Sequence, residues 1–563
     1  MKGGQVPSSY KDIVREHWSL DKVMEWRAGL SGDAPFLSFG GGPPLTFGEA
    51  WTRALDLAFF LSAAGVRQGD RVATLGKNSQ EAVLLWFAVN LLGAADAPIN
   101  PVFVGKPLAH AVNLVEAEIV IADAALIPAL QSIAIELRCA KTILVYGSTE
   151  GLPLAVAGRP VQPISAGGSR PGTWRCAGAA ASDLCSILFT SGTTGPSKGA
   201  MITHAQAFLT ARHAVEGLRV SADDRFYCAH PLFHMSPRFC VIYAALLTGA
   251  QVSFDERFSA AKWLDRIRET RATVTIGHGP LLEMIYGEPE RPDDAETDLT
   301  RIGTSPFPKH IARDFERRFG LKGIETWGMT EVNIPCWHPF DVPLRPGSCG
   351  KILDEWYEFR VVNSDTDETL PPGEIGEFLV RPKYPWTLSP GYYGNPEATV
   401  RSWRNFWFHT GDSGYIDADG WVYFVDRLGD RIRRRAENIS SYDIEVAAKS
   451  HPAVLECAAV GVPSDFVADD DVKLCIVLRE GGQVTPDELT IFLAQRLPPH
   501  MVPRYIEQLP RLPRTPTQKV MKSHLRSTGP TTGTWDRNAA GMRVRDVAPV
   551  PVPSEASGTS LRF

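Results

Sequence analysis

The chain lacks the features that mark membrane and secreted proteins. The most hydrophobic run of its 563 residues, 82–92, is interrupted by Asn90 and is about half the length that a membrane span needs. We interpret it as a buried helix. A basic segment followed by an apolar core, the mark of a secretory signal, is also missing from the N-terminal sequence. We therefore expect a soluble, cytoplasmic protein with no integral membrane segment.

The nine cysteines are scattered, with no Cys-x-x-Cys and no His/Cys cluster at zinc spacing. We interpret them as reduced core residues of an intracellular protein. A net charge of -6 gives no reason to expect nucleic acid or an anionic membrane as a partner. With 44% hydrophobic and 22% charged residues, the composition is that of an ordinary globular protein, long enough for more than one domain.

The hydrophobic pattern predicts an α/β fold. Strand-like runs at 71–75, 118–122 and 142–145 alternate with helix-like stretches at 47–64 and 80–92, as in a doubly wound domain. Residues 147–183 are rich in Gly, Ala, Pro and Ser, and we expect a connecting loop there. Residues 346–427 alternate like an antiparallel β region, and 444–525 indicate a compact α+β domain.

A loop rich in glycine and hydroxyl residues reads Thr-Ser-Gly-Thr-Thr-Gly-Pro-Ser-Lys-Gly from Thr190 to Gly199. It follows a strand-like run at 184–189 and precedes a helix that we expect to begin near Thr203. Its glycines allow backbone N–H groups to converge on one anion, so the loop can wrap phosphate oxygens. It is not the P-loop of common NTPases, because Lys198 stands between Ser197 and Gly199. Composition alone also fits a mobile surface linker.

Two further motifs suit a nucleotide. The run Glu-Thr-Trp-Gly-Met-Thr-Glu at 325–331 places a hydroxyl beside a carboxylate, and Mg²⁺ takes one or two protein oxygens together with phosphate oxygens. In Phe-His-Thr-Gly-Asp at 408–412, an aspartate after a glycine turn can accept hydrogen bonds from two ribose hydroxyls. Each motif alone is also compatible with an ordinary turn.

These motifs, with Arg-Thr-Pro-Thr-Gln-Lys-Val at 514–520, occur in an order that resembles the adenylate-forming superfamily of acyl-CoA synthetases, luciferase and peptide-synthetase adenylation domains. The resemblance covers roughly residues 20–526. It implies a large N-terminal domain of stacked α/β subdomains plus a β region, followed by a small mobile α+β domain. We predict an AMP-binding domain at 1–427, a lid domain at 428–526 and a flexible tail at 527–563.

The resemblance also assigns roles to single residues. The loop cradles the phosphates, the turn at 303–306 forms part of the adenine pocket, and the ribose is held after the third motif. A basic run at 426–435 forms the hinge, followed by a loop that approaches CoA. The implied cofactor-binding residues are Thr190, Ser191, Gly192, Thr193, Thr194, Gly195, Lys198, Gly303, Thr304, Ser305, Trp327, Asp412, Arg427, Arg433 and Ala436, and the hinge residue is Asp430.

For catalysis, the resemblance implies that Thr330 touches the α-phosphate, Glu331 holds Mg²⁺ and Lys519 bridges the carboxylate and the α-phosphate. Residues 229–235, Ala-His-Pro-Leu-Phe-His-Met, resemble the signature beside the acyl pocket. His234 is expected to line the carboxylate site. The candidate substrate-binding residues are Phe233, His234, Gly277 and His278.

Three positions depart from the family pattern: Pro237 and Ala436 stand where relatives have small residues or glycine, and Gln518 replaces a glycine. Alanine has less backbone freedom than glycine and adds a methyl group where the CoA arm approaches. We therefore expect Ala436 to weaken the thioester step more than the adenylation step.

The implied activity is that of an ATP-dependent acid–CoA ligase that uses ATP, Mg²⁺ and CoA. A carboxylic acid becomes an acyl-adenylate with release of pyrophosphate, and the acyl group then passes to CoA. Within the superfamily the chain is most similar to crotonobetaine/carnitine-CoA ligases and their fatty-acid-CoA ligase relatives, which implies a place in fatty acid metabolism and allows a homodimer. Two alternatives stay open: a stand-alone adenylating enzyme that loads a carrier protein, and a degenerate acyl- or nucleotide-binding protein without turnover.

Overall fold

The computed structural model describes residues 7–164, 170–190, 197–430, 432–434, 437–439, 441–464, 470–514 and 520–544, with the side chains of 433, 434, 437 and 438 excepted. The chain divides into two compact units. The first comprises Met1–Thr410 and Gly414–Phe424, and the second comprises Gly411–Ser413 and Val425–Phe563.

The helices of the first unit lie between and around its strands, and three further helices belong to the second unit. A π-helix also spans Ser236–Tyr243. The α-helices are α1 Leu20–Ser31, α2 Phe47–Ala63, α3 Gln80–Leu91, α4 Gly105–Leu114, α5 Ile127–Ser132, α6 His204–Leu218, α7 Ala244–Thr248, α8 Ala260–Glu269, α9 Gly279–Tyr286, α10 Ala312–Phe319, α11 Pro396–Ser402, α12 Ser441–Lys449, α13 Pro486–Ala494 and α14 Lys522–Thr528.

The strands form two large sheets, one smaller sheet and a short hairpin. The strands are β1 Pro35–Phe39, β2 Leu45–Thr46, β3 Arg71–Leu75, β4 Ala95–Ile99, β5 Ile119–Asp123, β6 Thr142–Tyr146, β7 Ala155–Val156, β8 Arg159–Pro163, β9 Leu184–Thr190, β10 Lys198–Thr203, β11 Arg225–Cys228, β12 Gln251–Phe254, β13 Val274–Gly277, β14 Arg301–Thr304, β15 Lys322–Met329, β16 Asn333–Trp337, β17 Gly350–Ile352, β18 Tyr357–Val362, β19 Gly376–Pro382, β20 Phe408–Ile416, β21 Trp421–Arg427, β22 Ile432–Arg434, β23 Glu437–Ile439, β24 Val454–Pro463, β25 Asp470–Leu478, β26 Tyr505–Gln508 and β27 Trp535–Asp536.

The first large sheet has the order β10-β9-β4-β3-β5-β6-β8-β7, with a parallel centre and antiparallel strands at both ends. The second has the order β18-β19-β20-β21-β17-β16-β15-β14-β13-β11-β12-β1-β2 and combines a parallel block with an antiparallel region. These sheets confirm the predicted α/β architecture with its added β region.

Helices α3 and α6 show how the layers pack. Residues 83–91 of α3 are all buried, which confirms the interpretation of the longest apolar run as a core helix. Helix α6 contacts β9 and β10 of one sheet and β14 and β16 of the other. Because α6 is covered from both sides, twelve of its residues are buried, including the polar residues His204, Gln206 and Thr210. Among the described residues, no helix is both long enough and apolar enough to cross a membrane.

The structure differs from the sequence predictions in two places of the first unit. The Gly-rich loop leads into strand β10, which pairs antiparallel with β9, before α6 begins near the expected position, with Thr203 as its N-cap. The segment 147–183 contains β7 and β8, and β8 adds to β6 as a further parallel strand. Both strands gain their stability from pairing with a neighbour, which local composition does not reveal.

The second unit is a four-stranded sheet, β24-β25-β26-β27, with helices α12, α13 and α14. Helix α13 begins with a capping box, in which Thr485 and Glu488 exchange hydrogen bonds. The flexible tail predicted from residue 527 differs from the structure over 529–544. There β27 pairs with β26, and Trp535 packs against the apolar core of this unit. Residues 545–563 lie outside the described residues.

Candidate active site

Four neighbouring parallel strands of the second large sheet, β11, β13, β14 and β15, have their carboxyl ends side by side. We call this place the sheet edge. The segments that follow them carry the predicted acid-, adenine- and metal-binding residues: His234 after β11, His278 after β13, Ser305 after β14 and Glu331 after β15. In open α/β sheets, ligands bind outside the carboxyl ends of the strands. The fold therefore brings residues from four separate motifs to the edge where a ligand is expected.

Glu331 is fixed by a tyrosine that the sequence analysis missed. The Tyr392 hydroxyl donates a hydrogen bond of 2.8 Å to Glu331 Oε1, and both residues are buried. The same tyrosine ring lies below the ammonium of Lys198, with Nζ 4.8 Å from the ring centroid. One aromatic side chain thus contacts both the carboxylate of the 325–331 motif and the cation of the Gly-rich loop. No spacing rule links Tyr392 to Glu331, which is 61 residues away.

The backbone around Thr330 is held from two sides. Its carbonyl oxygen accepts a hydrogen bond of 2.9 Å from Gln206 Nε2, on the first turn of α6. The Glu331 carbonyl oxygen accepts one of 3.0 Å from Ser389 N–H. A carboxylate on a backbone anchored in this way keeps its position without a ligand, as a preformed cation site requires.

The predicted adenine turn is also anchored. The Thr304 hydroxyl donates to the Pro306 carbonyl at 2.9 Å, and the Thr304 carbonyl accepts from the Thr326 hydroxyl at 3.2 Å. Gly303 is buried, and a Cβ there would lie 3.2 Å from Leu218. Ser305 is exposed at the end of this turn.

Trp327 is 4% exposed and meets Phe378 and Phe359 edge-on, with ring centroids 5.1 and 5.6 Å apart. These contacts fix the orientation of the Trp327 ring, and its contact with adenine stays a prediction. Glu325, at the start of the same motif, is buried, and burial raises the pKa of its carboxyl to about 8.

On the acid side, Pro237 lies at the start of the π-helix, where a missing N–H costs no helical hydrogen bond. The next residue, Arg238, makes a buried bidentate ion pair with Asp96 at 2.7 and 2.9 Å. Ser186 also donates to Asp96 at 2.5 Å. The departure at Pro237 is therefore accommodated, and the ion pair ties the segment that carries Phe233 and His234 to strands β4 and β9.

The rings of Phe233 and His234 are in contact, with centroids 4.3 Å apart and planes tilted by 48°. Gly277 ends β13, and an added Cβ would lie 2.9 Å from Leu282. His278 is exposed and stacks on a histidine that the sequence analysis quoted but did not single out, His230. The four candidate substrate-binding residues thus lie on two adjacent segments of the same sheet edge.

In the second unit, the two predicted ribose-binding residues form a pair: Arg427 Nε lies 3.2 Å from Asp412 Oδ1, and Asp412 is buried. The predicted hinge residue Asp430 lies 3.2 Å from Arg526 Nη2, on α14. The residues Ser191, Gly192, Thr193, Thr194, Gly195, Ala436, Gln518 and Lys519 lie outside the described residues, as does the side chain of Arg433.

Near the predicted hinge residue Asp430, an ionic cluster links three elements of the second unit. Lys522 Nζ, on α14, contacts Glu445 Oε1 at 2.7 Å and Ser441 Oγ at 2.6 Å, both on α12. Ser441 Oγ also lies 2.5 Å from Asp426 Oδ2, in β21. The neighbouring carboxylates raise the pKa of Lys522, against the opposing effect of burial. The sequence offers no signal for this cluster beyond the charge run itself.

The side chains at the sheet edge either can or cannot supply the oxygen ligands that a magnesium ion needs. Among the residues that the structure describes, no group of three or more His, Cys, Asp or Glu side chains could hold a metal. A single buried carboxylate, Glu331, is nevertheless what Mg²⁺ needs when substrate phosphates supply the remaining oxygens. The residues present therefore fit magnesium bound together with a nucleotide.

Comparison with known proteins agrees with this geometry. The AMP-binding enzyme family matches residues 24–393, and the AMP-binding enzyme C-terminal domain matches residues 443–519. A crotonobetaine/carnitine–CoA ligase of Salmonella agona is 31% identical over 525 residues, 90% of this chain and 99% of the relative. A feruloyl-CoA synthase of Amycolatopsis is 31% identical over 496 residues, 86% of this chain and 94% of the relative.

Solved structures show the same fold. An anthranilate CoA ligase bound to anthranoyl-AMP has a TM-score of 0.80 at 25% identity, covering 95% of this chain and all of that one. ATP-bound MatB from Rhodopseudomonas palustris has a TM-score of 0.79 at 26% identity, covering 91% and 99%.

The fold and the sheet-edge site are those of a nucleotide-dependent α/β enzyme with a smaller C-terminal unit. The chain belongs to the AMP-binding enzyme family. It is an acyl-CoA synthetase: an ATP-dependent ligase that forms an acyl-adenylate and transfers the acyl group to CoA. The predicted superfamily, fold class and reaction are confirmed.

Proposed function

We propose that this ligase uses magnesium-bound ATP and that Glu331 is the protein ligand of the metal. The observation that carries the proposal is the buried contact of Glu331 with Tyr392, whose ring also lies below Lys198. Bound magnesium would neutralise phosphate charge and so favour attack at the α-phosphate. Lys198, whose ammonium lies over the ring of the same tyrosine, supplies a second positive charge.

The chain's own residues account for alignment. A carboxylate is a weak nucleophile, so catalysis depends on holding it in line with the α-phosphate and on stabilising the charge that develops there. We assign the α-phosphate contact to Thr330 and the acid's carboxylate to the side of His234. The phosphate loop, from Thr190 through Ser191–Gly195 to Lys198, would hold the remaining phosphates.

In the second unit, we assign the ribose hydroxyls to Asp412 and Arg427. Their 3.2 Å contact supports a shared role, because the arginine orients the carboxylate that would accept the ribose hydroxyls. We retain Asp430 as the hinge, Lys519 as the lysine of the adenylation step, and the segment that includes Arg433 and Ala436 as the approach of CoA. Domain boundaries at 427 and 526 remain part of this proposal.

The proposal is tested by separating the two half-reactions. Lys519→Ala should reduce acid-dependent pyrophosphate release strongly, since the cation that stabilises charge at the α-phosphate is lost. Thioester formation from supplied acyl-adenylate and CoA should stay near the wild-type rate. Equal loss of both half-reactions would contradict the assigned role. Glu331→Gln should weaken ATP binding in the presence of magnesium but not in its absence, as measured by calorimetry.

Similarity alone does not choose the acid. The relatives named crotonobetaine/carnitine–CoA ligase and feruloyl-CoA synthase act on unlike acids, and both are 31% identical to this chain. We propose a role in fatty acid metabolism, which means that the acid substrate is a fatty acid. We also propose a cytoplasmic location, supported by the nine cysteines, all within the described residues, none of which forms a disulfide bond.

A further inference from the structure

The segment after β11 and the segment after β13 bring two histidine rings together. The rings of His230 and His278 lie almost parallel, at 18°, with centroids 5.3 Å apart. His278 is exposed, whereas His230 is 7% exposed and lies behind it. The pair therefore extends from the protein surface into the interior. His230 precedes His234 by four residues in the chain.

His230 carries an unused hydrogen-bonding atom. Within the described part of the chain, its buried Nε2 has no hydrogen-bond partner. Burial lowers the pKa of His230 to about 3, with smaller contributions from His278 and His234, so the ring is uncharged at neutral pH. A buried polar atom without a partner destabilises the protein, and a ligand group that hydrogen-bonds to it removes that cost.

The cavity beside His230 is small, and the hydroxyl groups of Tyr227 and Thr275 beside it already have hydrogen-bond partners. A cavity of about 10 Å³ is lined by His230, Tyr227, Thr275, Trp263, Gly277 and Leu282. The Tyr227 hydroxyl donates to Asp255 at 2.9 Å, and the Thr275 hydroxyl donates to the Tyr227 carbonyl at 2.8 Å. The Asp255 carboxylate is in turn neutralised by Arg266 at 2.7 Å.

The size and charge of this cavity limit what can enter it. Its volume is close to that of one water-sized group, so a hydroxyl or amino substituent fits and a trimethylammonium group does not. A charged group would lose its hydration without gaining an opposite charge, which disfavours its binding. An uncharged polar group gains a hydrogen bond to His230 Nε2.

Resting on the proposed function of this edge as the acid site, we propose that His230, covered by His278, selects an acid with an uncharged hydroxyl or amino group at the end distant from its carboxylate. His234 lies nearer the reacting carboxylate, and His230 lies deeper. His230 is thus a specificity residue, and the exposed ring of His278 stacks on it.

The test compares acids that differ by one hydroxyl group: cinnamate with 4-hydroxycinnamate, and hexanoate with 6-hydroxyhexanoate. We measure kcat/KM for acid-dependent pyrophosphate release. For at least one pair, the wild type should prefer the hydroxylated acid by about 10-fold or more, because a site that hydrogen-bonds a hydroxyl rejects the analogue without it. In His230→Phe this ratio should fall to about 1, while activity on the unsubstituted acid persists.

Two further variants separate specificity from folding. His230→Asn keeps a hydrogen-bonding side chain and should retain part of the preference. His213→Phe replaces another buried histidine whose Nε2 has no partner within the described residues, but which does not line this cavity. It should leave the ratio unchanged.

The possible failures are distinguishable. If no acid supports pyrophosphate release, the proposed function fails. If acids are turned over but neither pair shows a preference, or the preference survives in His230→Phe, only the role of His230 is refuted. Carnitine as the best substrate would refute it as well.

Discussion

Glu325 is predicted to make the stability of the first unit depend on pH. Its side chain is 2% exposed, and backbone N–H groups of Phe307 and Gly347 contact its carboxyl. Within the described residues its Oε2 has no hydrogen-bond partner. Burial outweighs the two N–H contacts and raises the pKa to about 8 from the ordinary 4.5. The folded protein therefore holds this proton between pH 4.5 and 8, whereas the unfolded chain releases it.

The sign follows from proton linkage. Between pH 4.5 and 8 the folded state binds more protons, so the free energy of unfolding falls as pH rises. At 1.36 kcal/mol per pH unit, the loss between pH 5 and pH 8.5 is at most about 4 kcal/mol. Glu325→Gln keeps the shape and the acceptor oxygen but does not ionise. The variant should gain stability over the wild type by up to that amount as pH rises.

The assay is urea unfolding followed by tryptophan fluorescence at pH 5.0 and pH 8.5, with Glu374→Gln at an exposed position as the control for loss of a charge. The quantity of interest is the change with pH in the difference between variant and wild type. If that difference is the same at both pH values, Glu325 is ionised in the folded state and the reasoning is wrong.

Two further substitutions test the contacts described above. Tyr392→Phe removes the hydrogen bond to Glu331 but keeps the ring below Lys198. Because a hydrogen bond to a charged group contributes roughly 1.5–3 kcal/mol, the variant should bind ATP about 10- to 100-fold more weakly in the presence of magnesium. The affinity is measured by calorimetry. Unchanged ATP affinity would refute the positioning role. Lys522→Met leaves the Glu445 carboxylate without its cation and should destabilise the second unit by up to about 3 kcal/mol in urea unfolding, whereas Lys522→Arg should restore most of it. A midpoint like that of the wild type would contradict this.

Much of the fold is predictable from the sequence because its signals are local. The buried helix α3 follows from an apolar run of the right length, and α6 begins near Thr203, as expected. Both α6 and α13 start after a threonine N-cap, Thr203 and Thr485, which is a local signal that the sequence itself carries. Strand β10 is not predictable in this way, since Lys198–Thr203 becomes a strand by pairing with β9. The ordered part of the tail is similar: a single residue, Trp535, anchors a segment whose composition is typical of disorder.

The site shows the same division. Glu331 and Lys198 belong to compact motifs, and resemblance is sufficient to name them. Tyr392 and His230 matter because of where the fold places them, next to residues 61 and 48 positions away in the chain. Their chemistry becomes visible only through distances and burial, which one sequence without its structure does not contain.

The most direct test of the central claim is pyrophosphate release from magnesium-ATP across a panel of acids, each with and without CoA. The panel spans betaine-like, short-chain, long-chain, aryl and hydroxylated acids. An acid–CoA ligase should release pyrophosphate only when a suitable acid is present, and the release should become sustained when CoA is added. A single-turnover burst that CoA does not relieve would contradict CoA as the acceptor, and ATP binding without release for every acid would contradict catalysis itself.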